Sequence, residues 1–352
     1  MFLRLSMKQL MVRALVCLAT FLACVVPVAP LAAQSATYSV LRTVPLGGDG
    51  GWDYLYADPE MHRLYISRST HFTVVDLQSG KVAGEIPDTP GAHGVALVPS
   101  LGIGFTSNGR EATSSVFDLK TLKVSEKIKT GEGPDSILYD PFSGHVVTMN
   151  GRARSVSVID PKTRKMVATI PLSGRPEAPV ADEKGRIYVN LEDKNLIAVI
   201  DSSANRIIAE WPLPGCEGPS GLDMDREIGH LFTACDNKVM AIVDAKTGKV
   251  IGTVPTGSGT DGLSYDPRNK VAVASNGEGT MSFVGRRDGK YALLQTVATR
   301  KGARTLTFDP STGEFLTVTA DFGPAPKPTA ENPRGRPPIL PNSFVMIAVG
   351  KK

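Results

Sequence analysis

The sequence predicts an all-β fold, a seven-bladed β-propeller closed by the N-terminal strand in the last blade. Three observations predict it. A strand ending in aspartate recurs about every 42 residues, a second set of residues keeps a constant offset in every repeat, and a lone N-terminal strand supplies what the last repeat lacks.

The recurring strand is Val74-Val75-Asp76, Val116-Phe117-Asp118, Val158-Ile159-Asp160, Val199-Ile200-Asp201 and Ile242-Val243-Asp244, at spacings of 42, 42, 41 and 43 residues. Degenerate copies at Phe283-Val284-Gly285 and Met346-Ile347-Ala348 complete the series. Each unit also holds a two-strand element around a turn, as in residues 136–140, the turn Pro141-Phe142-Ser143-Gly144, and residues 145–149. β-Branched alternation punctuated by Gly, Pro and Asp marks strands and turns. With 35 Gly, 26 Pro and only 6% aromatics, the composition suits many short strands. Four such strands with short connections form a propeller blade.

The residues opening each first strand are Asp53, His93, Asp135, Glu177, Ser220, Asp261 and Arg304. Fifteen residues on, the second strands end at Arg68, Asn108, Asn150, Glu192, Cys235, Asn276 and Thr319. Chance alternation does not hold one offset through seven units. A solenoid of the same units would need polar caps at both ends. Closure is the better solution: the last unit lacks a fourth strand, and residues 40–45 read like one, so pairing them removes the open edges.

Residues 1–33 belong to a different class. Arg4, Lys8 and Arg13 precede an apolar run from Ala14 to Val26, then Pro27, Pro30, Ala32 and Ala33. This is the layout of a Sec-type signal peptide cleaved after Ala33, which implies a periplasmic or secreted protein. The alternative, a retained anchor, fits poorly because prolines end a run shorter than the roughly 20 residues a spanning helix needs; no stable membrane span is expected. The mature domain is then residues 34–352, a single propeller expected to be a monomer. Without the leader's three basic residues, 36 Lys and Arg face 35 Asp and Glu, a net charge of +1. Nucleic acid therefore gains no electrostatic support as a partner. The cysteines left, Cys216 and Cys235, form an even pair that an oxidising compartment would join as a disulfide.

The last unit carries an insertion at residues 321–342 with seven prolines, a composition that favours an extended loop. It joins the second and third strands, so it should emerge on the same face as the offset residues above.

Gly131-Glu132-Gly133-Pro134, Tyr139-Asp140-Pro141, Ile187-Tyr188-Val189-Asn190 and Val156-Ser157-Val158-Ile159-Asp160 resemble the motifs of the YncE-like family of YVTN-type propeller repeats. The resemblance covers residues 38–350 and implies the propeller fold, export and a binding role. A shared fold does not imply a reaction.

First strands line a propeller's central channel, so Asp53, His93, Asp135, Glu177, Asp261 and Arg304 should crowd one funnel mouth. Carboxylates this close repel unless a cation, a shared proton or a basic partner compensates. No cofactor is certain. A divalent cation held by Glu177, Asp261, Asn108 and Asn150, with Asn276 nearby, is one solution. A small cationic ligand is another, and a water-filled channel offset by Arg304 and Arg68 is a third. Trp52, flanked by Gly50-Gly51, would stack on a ligand at the rim or pack between blades. His71 is expected near the same rim. Neither a Gly-x-Ser-x-Gly elbow nor a phosphate-binding glycine loop is present. The function expected is a binding or interaction protein taking a small cationic ligand or a protein partner. The alternative is a metal-dependent hydrolase or lactonase-like enzyme in the same funnel, with His93 or Asp135 as base.

Overall fold

The alternation in each repeat becomes four antiparallel strands, and seven such sheets form. The computed structural model describes residues 37–328 and 337–352. The expected leader and the middle of the proline-rich insertion lie outside the described residues. Thr37–Lys352 forms one compact unit.

The blades run in chain order. Blade one comprises Leu55–Asp58, Arg63–Ser67, Phe72–Asp76 and Lys81–Ile86. Blades two to six open with Ala92–Val98, Pro134–Asp140, Pro176–Ala181, Pro219–Asp225 and Thr260–Asp266. Blade seven consists of Leu306–Asp309, Glu314–Thr319 and Val345–Lys351, with Tyr38–Pro45 as its outer strand. The N-terminal strand pairs from Tyr38 with Lys351 to Pro45 with Val345. A bidentate bond from Arg42 to Glu314, at 2.5 and 2.7 Å, clasps it. Tyr38 also stacks on Phe283 of blade six at 4.0 Å between ring centroids.

Apolar packing between blades explains why the ring closes. Every adjacent pair of blades has its own buried cluster, such as Tyr65, Phe72 and Ile86 of blade one against Val95, Leu97 and Phe117 of blade two. The blade-seven to blade-one junction is no weaker, with Leu55, Leu64 and Ile66 against Leu316, Val318 and Met346. First strands of successive blades touch all the way round, the first blade meeting the last. That close approach requires glycine in places. A Cβ on Gly221 would lie 2.6 Å from the Leu263 nitrogen.

Candidate functional site

A bulge in the inner strand presents five of the seven residues of the opening column. Ala92 pairs with Asn108 and Val95 with Thr106, so His93 and Gly94 together oppose Ser107. The same shift brackets Asp135, Glu177, Ser220 and Asp261 in the next four blades. Such a bulge bends the strand and re-aims the side chain. Side-chain donors of the preceding blade then pin the column backbone. Ser107 donates to the Asp135 carbonyl, Ser136 to that of Glu177, Asn190 to that of Ser220 (2.9 Å), Ser275 to that of Arg304 (2.5 Å) and Thr305 to that of Asp53 (2.7 Å).

These pins bring the predicted ionisable residues together. His93 Nδ1 lies 2.5 Å from Asp53 Oδ2 and 3.2 Å from Asp135 Oδ1. The single Nδ1 proton goes to Asp53, and Asp135 Oδ1 is left without a hydrogen-bond partner. Arg304 Nε donates to Asp261 Oδ2 at 2.6 Å and its Nη2 to the Trp52 carbonyl at 2.9 Å; Asp53 Oδ1 is 3.8 Å away. Asp53, His93 and Asp135 offer ligand atoms within 4.8 Å of one another, so among the described residues this is the group that could hold a metal ion. An ion there would have to displace the proton on His93.

The charges interact. Burial alone would lower the His93 imidazolium, but the Asp53 hydrogen bond and the charges of Asp135, Asp53 and Glu177 outweigh it and raise it to about 9. Burial, then the charge of Asp53, pushes Asp135 up to about 6 against the pull of His93. Burial and the charges of Asp135 and Asp261 push Glu177 up to about 8. Asp261 is raised by burial and by Asp53, although Arg304 opposes this. Near neutral pH the group therefore relieves its repulsion by keeping a proton, held chiefly at Glu177.

Other expected residues lie elsewhere. Asn108, Asn150 and Asn276 are fully buried, and their amides are engaged inside their own blades. Asn108 accepts from Thr106 and donates to Thr113 and Ser115; Asn150 and Asn276 make equivalent bonds. The expected ligand set of Glu177, Asp261, Asn108 and Asn150 therefore loses both amide oxygens. Register explains the difference. Asn108 sits across from buried Ala92, one residue from His93, and neighbouring positions on a strand face opposite ways. Arg68 does not offset the acids either. It is buried, lies 3.6 Å from the Phe344 ring centroid, and donates to the carbonyls of Gly47, Gly48 and Gly50. Gly50 has φ +98°, and a Cβ there would meet the Arg68 carbonyl at 2.5 Å. Trp52 packs between blades against Phe322 and Phe344, with ring centroids 6.0 and 5.5 Å away. His71 lies 3.9 Å from Glu85 and bonds Thr70 instead of joining the cluster.

A cavity of about 960 Å³ opens beside the cluster, lined by Asp53, Glu177 and Asp261 and walled on one side by Phe322, Pro337 and Ile339 from the insertion. The insertion thus stands on the expected face. Cys216 and Cys235 form a buried disulfide with Cα atoms 5.4 Å apart. It ties the loop before blade five to the strand ending beside Asp236, which also lines the cavity. Sequence reasoning missed Tyr54, whose Oη donates to Glu177 Oε1 at 2.8 Å. A signal was available: the same row elsewhere holds only the small residues Gly94, Ser136, Ala178, Gly221, Gly262 and Thr305.

The molecule is a closed seven-bladed propeller with a cluster of ionisable side chains between its inner strands. It is similar to a chain of Kuenenia stuttgartiensis hydrazine synthase, with a TM-score of 0.68 and 15% identity over 84% of this chain and 97% of that one. At that identity the likeness is of fold alone. The sequence matches no protein-family model and no curated protein. No helix among the described residues is long and apolar enough to cross a membrane.

Proposed function

We propose that this is an exported, YncE-like propeller that acts as a binding protein and takes a small cationic ligand in its acidic funnel. One observation carries the reading. Asp53, Asp135, Glu177 and Asp261 come from four blades to one cluster in which His93 and Arg304 pair with them and Arg175 is close enough to pull on Asp135. A cation entering there would replace the proton that the carboxylates retain, so binding releases protons. The disulfide and the repeat motifs support export and the family assignment.

Titration calorimetry with methylammonium, a short diamine, Ca²⁺ and Mg²⁺ tests this against an Asp135→Asn/Glu177→Gln double variant. A cation that binds the parent with proton release and not the variant supports the reading. No binding by any of them, or equal binding to both proteins, sinks it.

A second reading is a metal-dependent hydrolase or lactonase-like enzyme. Its support is the grouping of Asp53, His93 and Asp135, rather than the asparagines first expected. Metal content by mass spectrometry, beside a His93→Ala variant, decides it. Near-stoichiometric metal that the variant loses favours the enzyme, and no metal in either protein removes it.

A further inference from the structure

The cavity has two unlike walls. Trp52, Ala320, Phe322, Ala325, Pro337 and Ile339 give an apolar wall from blade seven, its insertion and the entry to blade one, edged by the Arg300–Asp321 ion pair and by Lys301. This wall is built from paired backbone. Phe322 bridges to Ile339, Gly323 N donates to the Pro338 carbonyl at 2.9 Å, and Leu340 N donates to that of Asp321 at 2.8 Å. Trp52 is 7% exposed and its Nε1–H has no hydrogen-bond partner, so the wall also holds one unanswered donor.

The opposite side is polar. Glu192 pairs with Arg175, and Asp261 with Arg304, whereas among the described residues Glu177 and Asp236 make no ion pair. A metal ion or bare ammonium fills only a small part of 960 Å³, and neither gains from the apolar wall. Pockets of roughly 300–1,000 Å³ suit small organic molecules. An apolar body facing one wall and a cationic head facing the other would satisfy both.

We propose that the cavity binds an organic ammonium ion, with its head at Glu177 and its apolar body against Phe322, Pro337 and Ile339. The proposal rests on the cationic-ligand reading above and narrows it to one ligand class. The insertion, absent from the other six blades, thereby acquires a role: it makes a cation site selective for amphiphilic cations.

The experiment compares 4-phenylbutylammonium, methylammonium and the neutral 4-phenylbutan-1-ol by titration calorimetry on the purified protein. Burying the chain and ring should make phenylbutylammonium bind at least ~100-fold more tightly than methylammonium. Ile339→Ala should weaken phenylbutylammonium about tenfold and leave methylammonium within about twofold. Phe322→Leu, a milder change, should act in the same direction, with thermal melts confirming that both variants fold. Glu177→Gln should weaken both ammonium ions. Equal affinity for the two ammonium ions, or no effect of either wall variant, overturns this proposal and leaves the cationic funnel standing. Neutral alcohol binding as tightly as the ammonium also overturns it. Failure of both ammonium ions to bind overturns it together with the funnel reading.

Discussion

Tyr54 Oη donates to Glu177 Oε1 at 2.8 Å, joining the entry of blade one to blade four. In a ring of seven these blades lie nearly opposite, so the contact crosses the channel. Tyr54 also lines a second, smaller cavity of about 170 Å³, together with Ser136, Asp261, Thr305, Leu222 and Leu263.

Tyr54→Phe removes that donor. The bond favours the Glu177 carboxylate, so its loss drives the Glu177 pKa further above about 8. A stability loss of about 1 kcal/mol is expected. Urea denaturation gives the second value and carboxyl ¹³C titration the first.

Stability should fall as pH rises across the neutral range. Glu177 at about 8 and Asp135 at about 6 keep protons that the unfolded chain releases near the ordinary carboxyl values. The native state then binds more protons than the unfolded one, and raising the pH favours unfolding. His93 adds the same sign, because its stabilisation is complete below about 6.5 and is lost through about 9. Glu177→Gln should flatten the dependence of melting temperature on pH between about 4.5 and 8.

His93→Ala leaves Asp53 and Asp135 facing each other without the imidazolium between them. A loss of about 2 kcal/mol is expected at pH 7, less at pH 5 where Asp135 takes up a proton. Denaturation at the two pH values measures the difference, and an equal loss at both would contradict the charge argument.

Asn108→Ala removes three buried hydrogen bonds inside blade two. It should destabilise the protein by about 2 kcal/mol while leaving cation affinity unchanged. Calorimetry beside thermal melts separates the two effects.

Replacing Cys216 and Cys235 by alanine opens a link across 19 residues of sequence. About 3 kcal/mol of stability should be lost. Faster hydrogen exchange is expected first at residues 213–218, the loop whose Glu217 and Gly218 amides donate to the side-chain Oδ1 atoms of Asn237 and Asn195.

The column from Asp53 to Arg304 was legible because a repeat fixes relative position: equal offsets in equivalent blades place residues at equivalent points of a ring. The asparagines were misjudged by one position. An offset of fifteen residues places Asn108 across from Ala92, and a single step along a strand changes the face. Tyr54 was visible as a break in a row of small residues, but its reach to Glu177 depends on the diameter of the closed ring.

The sequence by itself determined the blade number, the strand order, the closing role of Tyr38–Pro45 and the face carrying the insertion, since these follow from period and alternation. Tertiary structure alone decided which polar groups meet. Arg68 turned to the carbonyls of Gly47, Gly48 and Gly50 while Arg304 took Asp261, although both were equally available on paper. The reason is physical. Strand identity is a local property of a few neighbouring residues, whereas a contact between polar groups 40 to 252 residues apart exists only after seven packed interfaces set the width of the channel.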